Sequence, residues 1–96
     1  MSVVVSCTIE KQTTSTMIER LAAARLLTGT AFKLYNYLDS LPLGKSTYKR
    51  TEAIENIGME RAAINNGFKE LREKNFLIPE DEFHYKFFCL PEGKTE

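Results

Sequence analysis

Along the first nine residues the apolar positions alternate. In "VVVSCTI", Val3, Val5, Cys7 and Ile9 fall on one side, and Ser2, Val4, Ser6 and Thr8 fall on the other. A period of two in β-branched residues predicts a strand over about 3–9. "EKQTTS" reads as a polar break, and the period then lengthens. "TMIERLAAARLL" has helical spacing, with Thr16 and Glu19 placed as a capping box. In "TGTAFKLYNYLDSLP", Phe32, Tyr35, Leu38 and Leu41 recur on one helical side and Pro42 marks the end. "PLGKS" reads as a loop. Thr51 is the expected N-cap of a short helix ending near Ile57, where Gly58 supplies a left-handed C-terminal cap.

The run after Gly58 predicts a helix from about Glu60 to Lys74. At about 100° per residue, Gly67, Phe68 and Leu71 fall within about 60° of Ile64 and make a compact apolar side. Ala62, Asn65, Asn66 and Lys69 lie on the opposite side, where small and amide side chains suit close approach to another surface. Asn75 is a good left-handed cap. Beyond it, "FLI" predicts a strand and "PEDE" a turn, with Phe83, Tyr85, Phe87 and Cys89 alternating against His84, Lys86, Phe88 and Leu90. Two strands joined by a short turn make a hairpin. The expected order is strand, four helices, hairpin: one α+β domain over 1–96, with a core of about 28–90, an extra N-terminal strand at about 3–9 and a tail at 91–96.

Composition narrows the classes. Of 96 residues, 43% are hydrophobic and 27% charged, ordinary for a globular chain. No apolar run approaches the ~20 residues that cross a bilayer, so no membrane partner is expected. "MSVVVSCTIEK" lacks the basic start of a secretory signal. A cytoplasmic protein with reduced Cys7 and Cys89 is the expectation. Net charge is zero, from 13 basic and 13 acidic residues, but unevenly placed. Residues 45–75 hold seven basic and five acidic groups, whereas 76–96 hold two basic and five acidic. The mild positive bias coincides with the Gly58 turn.

Candidate chemistry is sparse. His84 is the one histidine, on an expected strand, and reads as a surface or partly buried imidazole rather than a catalytic base. Cys7 and Cys89 lie far apart in sequence with few donors around them, so a zinc site is not expected and buried, inert thiols are. "PLGKS" ends like a phosphate-binding loop but lacks the first glycine and the preceding strand. Glu52 with Glu55, and Glu70 with Glu73, are spaced as solvated helix charges. The aromatics of "YNYL" and "FFCL" read as core. Neither an enzyme nor a cofactor is expected.

"TGTAFKLYNYLDSL" followed by "AIENIGMERAAINNGFKELREKNFL" resembles the winged helix-turn-helix domains of phage and plasmid replication-initiation proteins, and bacterial winged-helix regulators more broadly. The matching positions are Ile57–Gly58–Met59, then Arg61, Ile64, Gly67, Phe68, Glu70 and Leu71, then Asn75–Phe76–Leu77, within a resemblance covering about 28–90. It implies a helical core with a C-terminal hairpin wing, and double-stranded DNA as partner, in replication initiation or transcription control. It also implies that the helix from Glu60 to Lys74 enters the major groove. Base contact then falls to Asn65 and Asn66, since asparagine pairs with adenine N6 and N7, and to Ala62, which permits close approach. Lys45, Lys49, Arg50 and Lys69 are phosphate candidates, the backbone at Thr51 offers a helix N-terminus, and Arg61 suits either role.

Two features depart from the pattern. The turn Pro79–Glu80–Asp81–Glu82 is acidic where a wing that meets DNA would be basic. Glu60 stands where such helices begin with serine or threonine. The alternative reading is a winged-helix module for protein contact or self-association. A homodimer is expected because two half-sites would offset few phosphate contacts per chain, with 3–9 or 83–90 at its interface.

Overall fold

The computed structural model describes residues 5–91. Eight elements follow in order: β1 (Ser6–Lys11), α1 (Met17–Leu26), α2 (Gly29–Asp39), β2 (Gly44–Lys49), α3 (Arg50–Ile57), α4 (Arg61–Glu73), β3 (Leu77–Asp81) and β4 (His84–Phe87). The strands form one mixed sheet in the order β2-β1-β4-β3. β1 runs antiparallel to β2 and parallel to β4, and β3 and β4 make the C-terminal hairpin. The inner side of this sheet packs against the helices.

The N-terminal strand sits in the middle of the sheet, not outside the core. Cys7 and Ile9 are buried on its inner side, as their alternation predicts. Val3 and Val4 lie outside the described residues. Val5 departs from the expected side and is 52% exposed: it precedes the strand, and its carbonyl accepts a hydrogen bond from the Arg50 N–H at 2.8 Å. The strand also runs on to Lys11, through the first two residues of the expected polar break. β2 pairs with the whole of Ser6–Lys11, and β4 pairs with Thr8–Lys11 on the other edge, so from Thr8 onward the strand is enclosed by its own chain.

The expected capping box is present: Thr16 Oγ1 accepts from the Glu19 N–H at 3.1 Å, and the Glu19 carboxylate accepts from the Thr16 N–H at 2.9 Å. α2 stops at Asp39, so Leu41 lies beyond the helix and is half-buried. The stretch expected as a loop contains β2. Its only buried residue is Tyr48, so the pattern of an edge strand is nearly all polar. β2 passes directly into α3, whose N-cap is Lys49 rather than Thr51; the Arg50 N–H is taken by Val5, and no side chain caps this end. In the hairpin, Pro79, Glu80 and Asp81 belong to β3 with a register shift between Pro79 and Asp81, and the turn lies at Glu82–Phe83. Phe83 is therefore 61% exposed instead of continuing the buried alternation of Tyr85, Phe87 and Cys89.

Aromatic rings fill the space between layers. The Phe68 ring centroid lies 5.3 Å from both Tyr48 and Tyr85, while Tyr35 packs against Phe32, Phe76 and Phe87 at 5.5–5.7 Å. Tyr35 places its hydroxyl on the Cys89 carbonyl at 2.9 Å, so the buried phenol is satisfied. Both thiols are buried, and burial pushes Cys7 up to about 12.

One buried polar network has no counterpart in the sequence reading. Lys11 is 3% and Asp39 5% exposed. The Lys11 ammonium donates to the carbonyls of Asp39 and Leu41 and lies 3.6 Å from Asp39 Oδ1. Asp39 also accepts from the Ser15 N–H at 3.1 Å, from the Ser15 hydroxyl, and from the Arg20 guanidinium at 3.3 Å. Burial alone would raise the Asp39 carboxyl; the Ser15 bonds, Lys11 and Arg20 outweigh it and hold it below its usual range.

Candidate nucleic-acid interface

The turn at Gly58 sets the site. Gly58 adopts φ 79° and ψ 28°, and its N–H closes on the Ile54 carbonyl at 2.8 Å, which ends α3 and redirects the chain into α4. Only glycine enters this left-handed region without a β-carbon penalty. Asn75, at φ 69°, does the same after α4, as its position in the sequence suggests.

α4 is strongly two-sided. Ile64, Gly67, Phe68 and Leu71 are buried, the four positions grouped by helical angle. Ala62, Asn66 and Lys69 are exposed, and Asn65 is half-buried. Gly67 faces α2: a β-carbon there would meet Ala31 Cα and the Thr30 carbonyl oxygen at 3.5 Å, an ordinary contact distance. Glu70 then locks the two helices together. Its carboxylate accepts from both the N–H and the hydroxyl of Thr28 at 2.8 Å, and Lys74 bonds to Glu70 at 3.1 Å and to the Leu26 carbonyl. Burial alone would raise the Glu70 carboxyl, but the Thr28 bonds and Lys74 hold it below its usual range. Glu70 is thus a tertiary anchor, not the solvated helix charge its i,i+3 spacing suggests. The N-cap of α4, Glu60, makes no side-chain cap bond, in line with its poor rank as a cap.

The remaining candidates divide by location. Arg50, at the first position of α3, donates through Nη1 to Asn65 Oδ1 at 3.2 Å and so joins the phosphate group of candidates to the base-contact group. Thr51 is exposed in the first turn of α3, and Arg61 is exposed at the start of α4. Lys69 reaches Glu73 at 4.0 Å on the same helix, a surface pair of small energetic weight. Lys45 and Lys49 stand opposite Glu10 and Ser6 at strand positions that alternate with buried Tyr48. They therefore belong to the outer side of the sheet, away from the side on which α4 packs. Lys45, far along β2 from the α3 junction, is not gathered with the others. Lys49 is the last residue of β2 and borders α3.

The hairpin carries its acidity with partial compensation. Lys86 pairs with Glu80 at 3.2 Å, and His84 Nδ1 lies 2.9 Å from Asp81. The Phe83 N–H donates to Asp81 Oδ1 at 2.9 Å; that bond first, and then His84, hold the Asp81 carboxyl below its usual range. Phe83 is exposed at the tip, directly after Asp81 and Glu82. A second exposed apolar group, Met17, Ile18 and Leu21 on α1, is 57–78% exposed. Alternation and helical spacing miss both groups because they register apolar content, not which side the rest of the chain leaves uncovered. Among the described residues, no helix is long and apolar enough to cross a membrane. No protein-family model, curated protein or solved structure matches this chain.

Proposed function

We propose that this chain is a winged-helix domain that binds duplex DNA through α4, in replication initiation or transcription control, with the β3–β4 hairpin as its wing. The observation that carries this reading is the division of α4. Its apolar side is fully used in the fold, while the opposite side offers a small residue, two amides and a cation, Ala62, Asn65, Asn66 and Lys69. Small and amide side chains on an outward-facing helix suit a major groove, where base edges are read at close range. Arg50, Arg61 and Lys69 supply the cations for phosphates.

Three such contacts predict that log affinity falls with log salt at a slope of about −2.5 to −3. Lys69→Ala should lower affinity for all duplexes alike and flatten the slope by about 1, whereas Asn66→Ala should cost about 1–3 kcal/mol on a preferred duplex only. Fluorescence polarisation with labelled random-sequence duplex, from low to physiological salt, measures both. A folded sample that binds no duplex at low salt overturns the reading.

A second reading draws on the acidic hairpin and on exposed Met17, Ile18 and Leu21: a module for protein contact or self-association. Sedimentation at high micromolar concentration tests the homodimer. The expected interface, 3–9 or 83–90, would use side chains rather than ladder bonds from Thr8 onward, since Thr8–Lys11 is paired on both sides.

A further inference from the structure

The Arg50–Asn65 contact decides more than the stability of a turn. An arginine side chain has only donors, so the Asn65 atom that faces it is the carbonyl oxygen, whatever the usual ambiguity between amide oxygen and nitrogen. Arg50 is itself poorly able to swing away. Its backbone N–H is bound to Val5 at 2.8 Å, and its Nε is buried against the fold. With Oδ1 turned toward the start of α3, the planar amide leaves its NH2 group for an outside partner. Among the described residues that group makes no hydrogen bond.

We infer that Arg50 is a positioning residue that makes Asn65 a hydrogen-bond donor toward DNA. Resting on the duplex-binding reading above, this assigns Asn65 to guanine and leaves adenine to Asn66. Guanine presents two acceptors, N7 and O6, in the major groove, and two amide hydrogens match them. Adenine presents one acceptor and one donor, and its N6 hydrogens must share the Asn65 oxygen, one of whose two lone pairs Arg50 occupies in the orientation it imposes, so adenine is the poorer match. Asn66, one position further round the helix and exposed, keeps both amide atoms available for that pair.

The test is selection of the full-length chain on a random duplex pool at low salt, followed by competition binding with single-base variants of the enriched site. The position Asn65 reads is the one whose preference disappears in Asn65→Ala. There, guanine should exceed adenine by roughly tenfold in the parent chain. Arg50→Met releases the amide to rotate, and the preference should shrink to about threefold or less. Asn65→Asp keeps the Arg50 partner and adds an ion pair, so it folds independently of that release. Its outward atom is an acceptor, and the preference should move to cytosine, whose N4 donates. A purely structural role for Arg50 would weaken binding to all duplexes and leave base preference where it was. That result, or an Asn65 position that prefers adenine in the parent and Arg50→Met chains alike, overturns the inference and spares the duplex-binding reading. A folded parent chain that enriches no duplex overturns both.

Discussion

The Lys11–Asp39 network and the outer side of α4 both gather polar side chains and treat them in opposite ways. In the first, every oxygen of the Asp39 carboxylate is taken: by Ser15 twice, by Arg20 and by the neighbouring Lys11 ammonium. In the second, Asn66, Ala62 and Lys69 face solvent, and Asn65 has one partner. A buried polar group must complete its hydrogen bonds inside the molecule or destabilise it, whereas an exposed one has water and needs nothing from the fold. The saturated Asp39 carboxylate therefore marks a place where the chain holds itself together, and the open side of α4 marks a place where a partner can be met.

The largest test of that contrast is Asp39→Ala. It leaves Lys11 charged and buried without its counter-ion, and unfolding in urea should show a loss of about 3–5 kcal/mol. A loss near zero would mean that the network is hydrated and the contrast is false. The same carboxylate should also make stability depend on pH. Its folded pKa lies below the unfolded one, so its contribution is fully present above the unfolded value, near 4, and is lost as pH falls through the folded value. Urea midpoints measured from pH 6 down to pH 2 should fall, and should fall less steeply in Asp39→Asn.

Next in size come two glycines, Gly58 in the turn before α4 and Gly67 within it. At Gly58 no heavy atom lies within 4 Å of an added β-carbon, so Gly58→Ala meets backbone strain alone and should cost about 1–2 kcal/mol. At Gly67 the backbone is helical and the space is just sufficient, so Gly67→Ala should be neutral or stabilising by up to about 1 kcal/mol. Paired thermal melts separate the two; the reverse order would mean that α3 and α4 are not joined by a left-handed turn. Smallest of all, Asn66→Ala should leave stability within about 0.5 kcal/mol, because the fold asks nothing of it. A larger loss would move Asn66 from the open class to the saturated one.

The same distinction explains what could be read in advance. The ends of α4, the Thr16–Glu19 box, the Gly58 and Asn75 turns and the C-terminal hairpin all rest on local chemistry carried within a few residues, and pattern reading finds them. β2 was hidden because it borders solvent and buries only Tyr48, so its spacing shows little hydrophobic alternation. Lys11 and Asp39 lie 28 positions apart, and Glu70 meets Thr28 across 42. Each looks like an ordinary surface charge until the fold brings its partner in. For the candidate interface, the outward side of α4 was legible from helical spacing. The Arg50–Asn65 bond was not, because it depends on the angle at which α3 and α4 meet.

The central place of β1 has a kinetic side. The strand is synthesised before both of its neighbours, yet β2 begins at Gly44 and β4 ends at Phe87, so its pairings close long stretches of chain. Such closures carry their entropic cost before any ladder bond repays it. The helices can form on their own local contacts, but the sheet cannot close until the hairpin arrives. β1 gains its β4 neighbour only once the chain beyond α4 is in place, so Cys7 and Ile9 should stay incompletely covered until then. Folding should therefore be gated by one late closure, the pairing of β1 with β4.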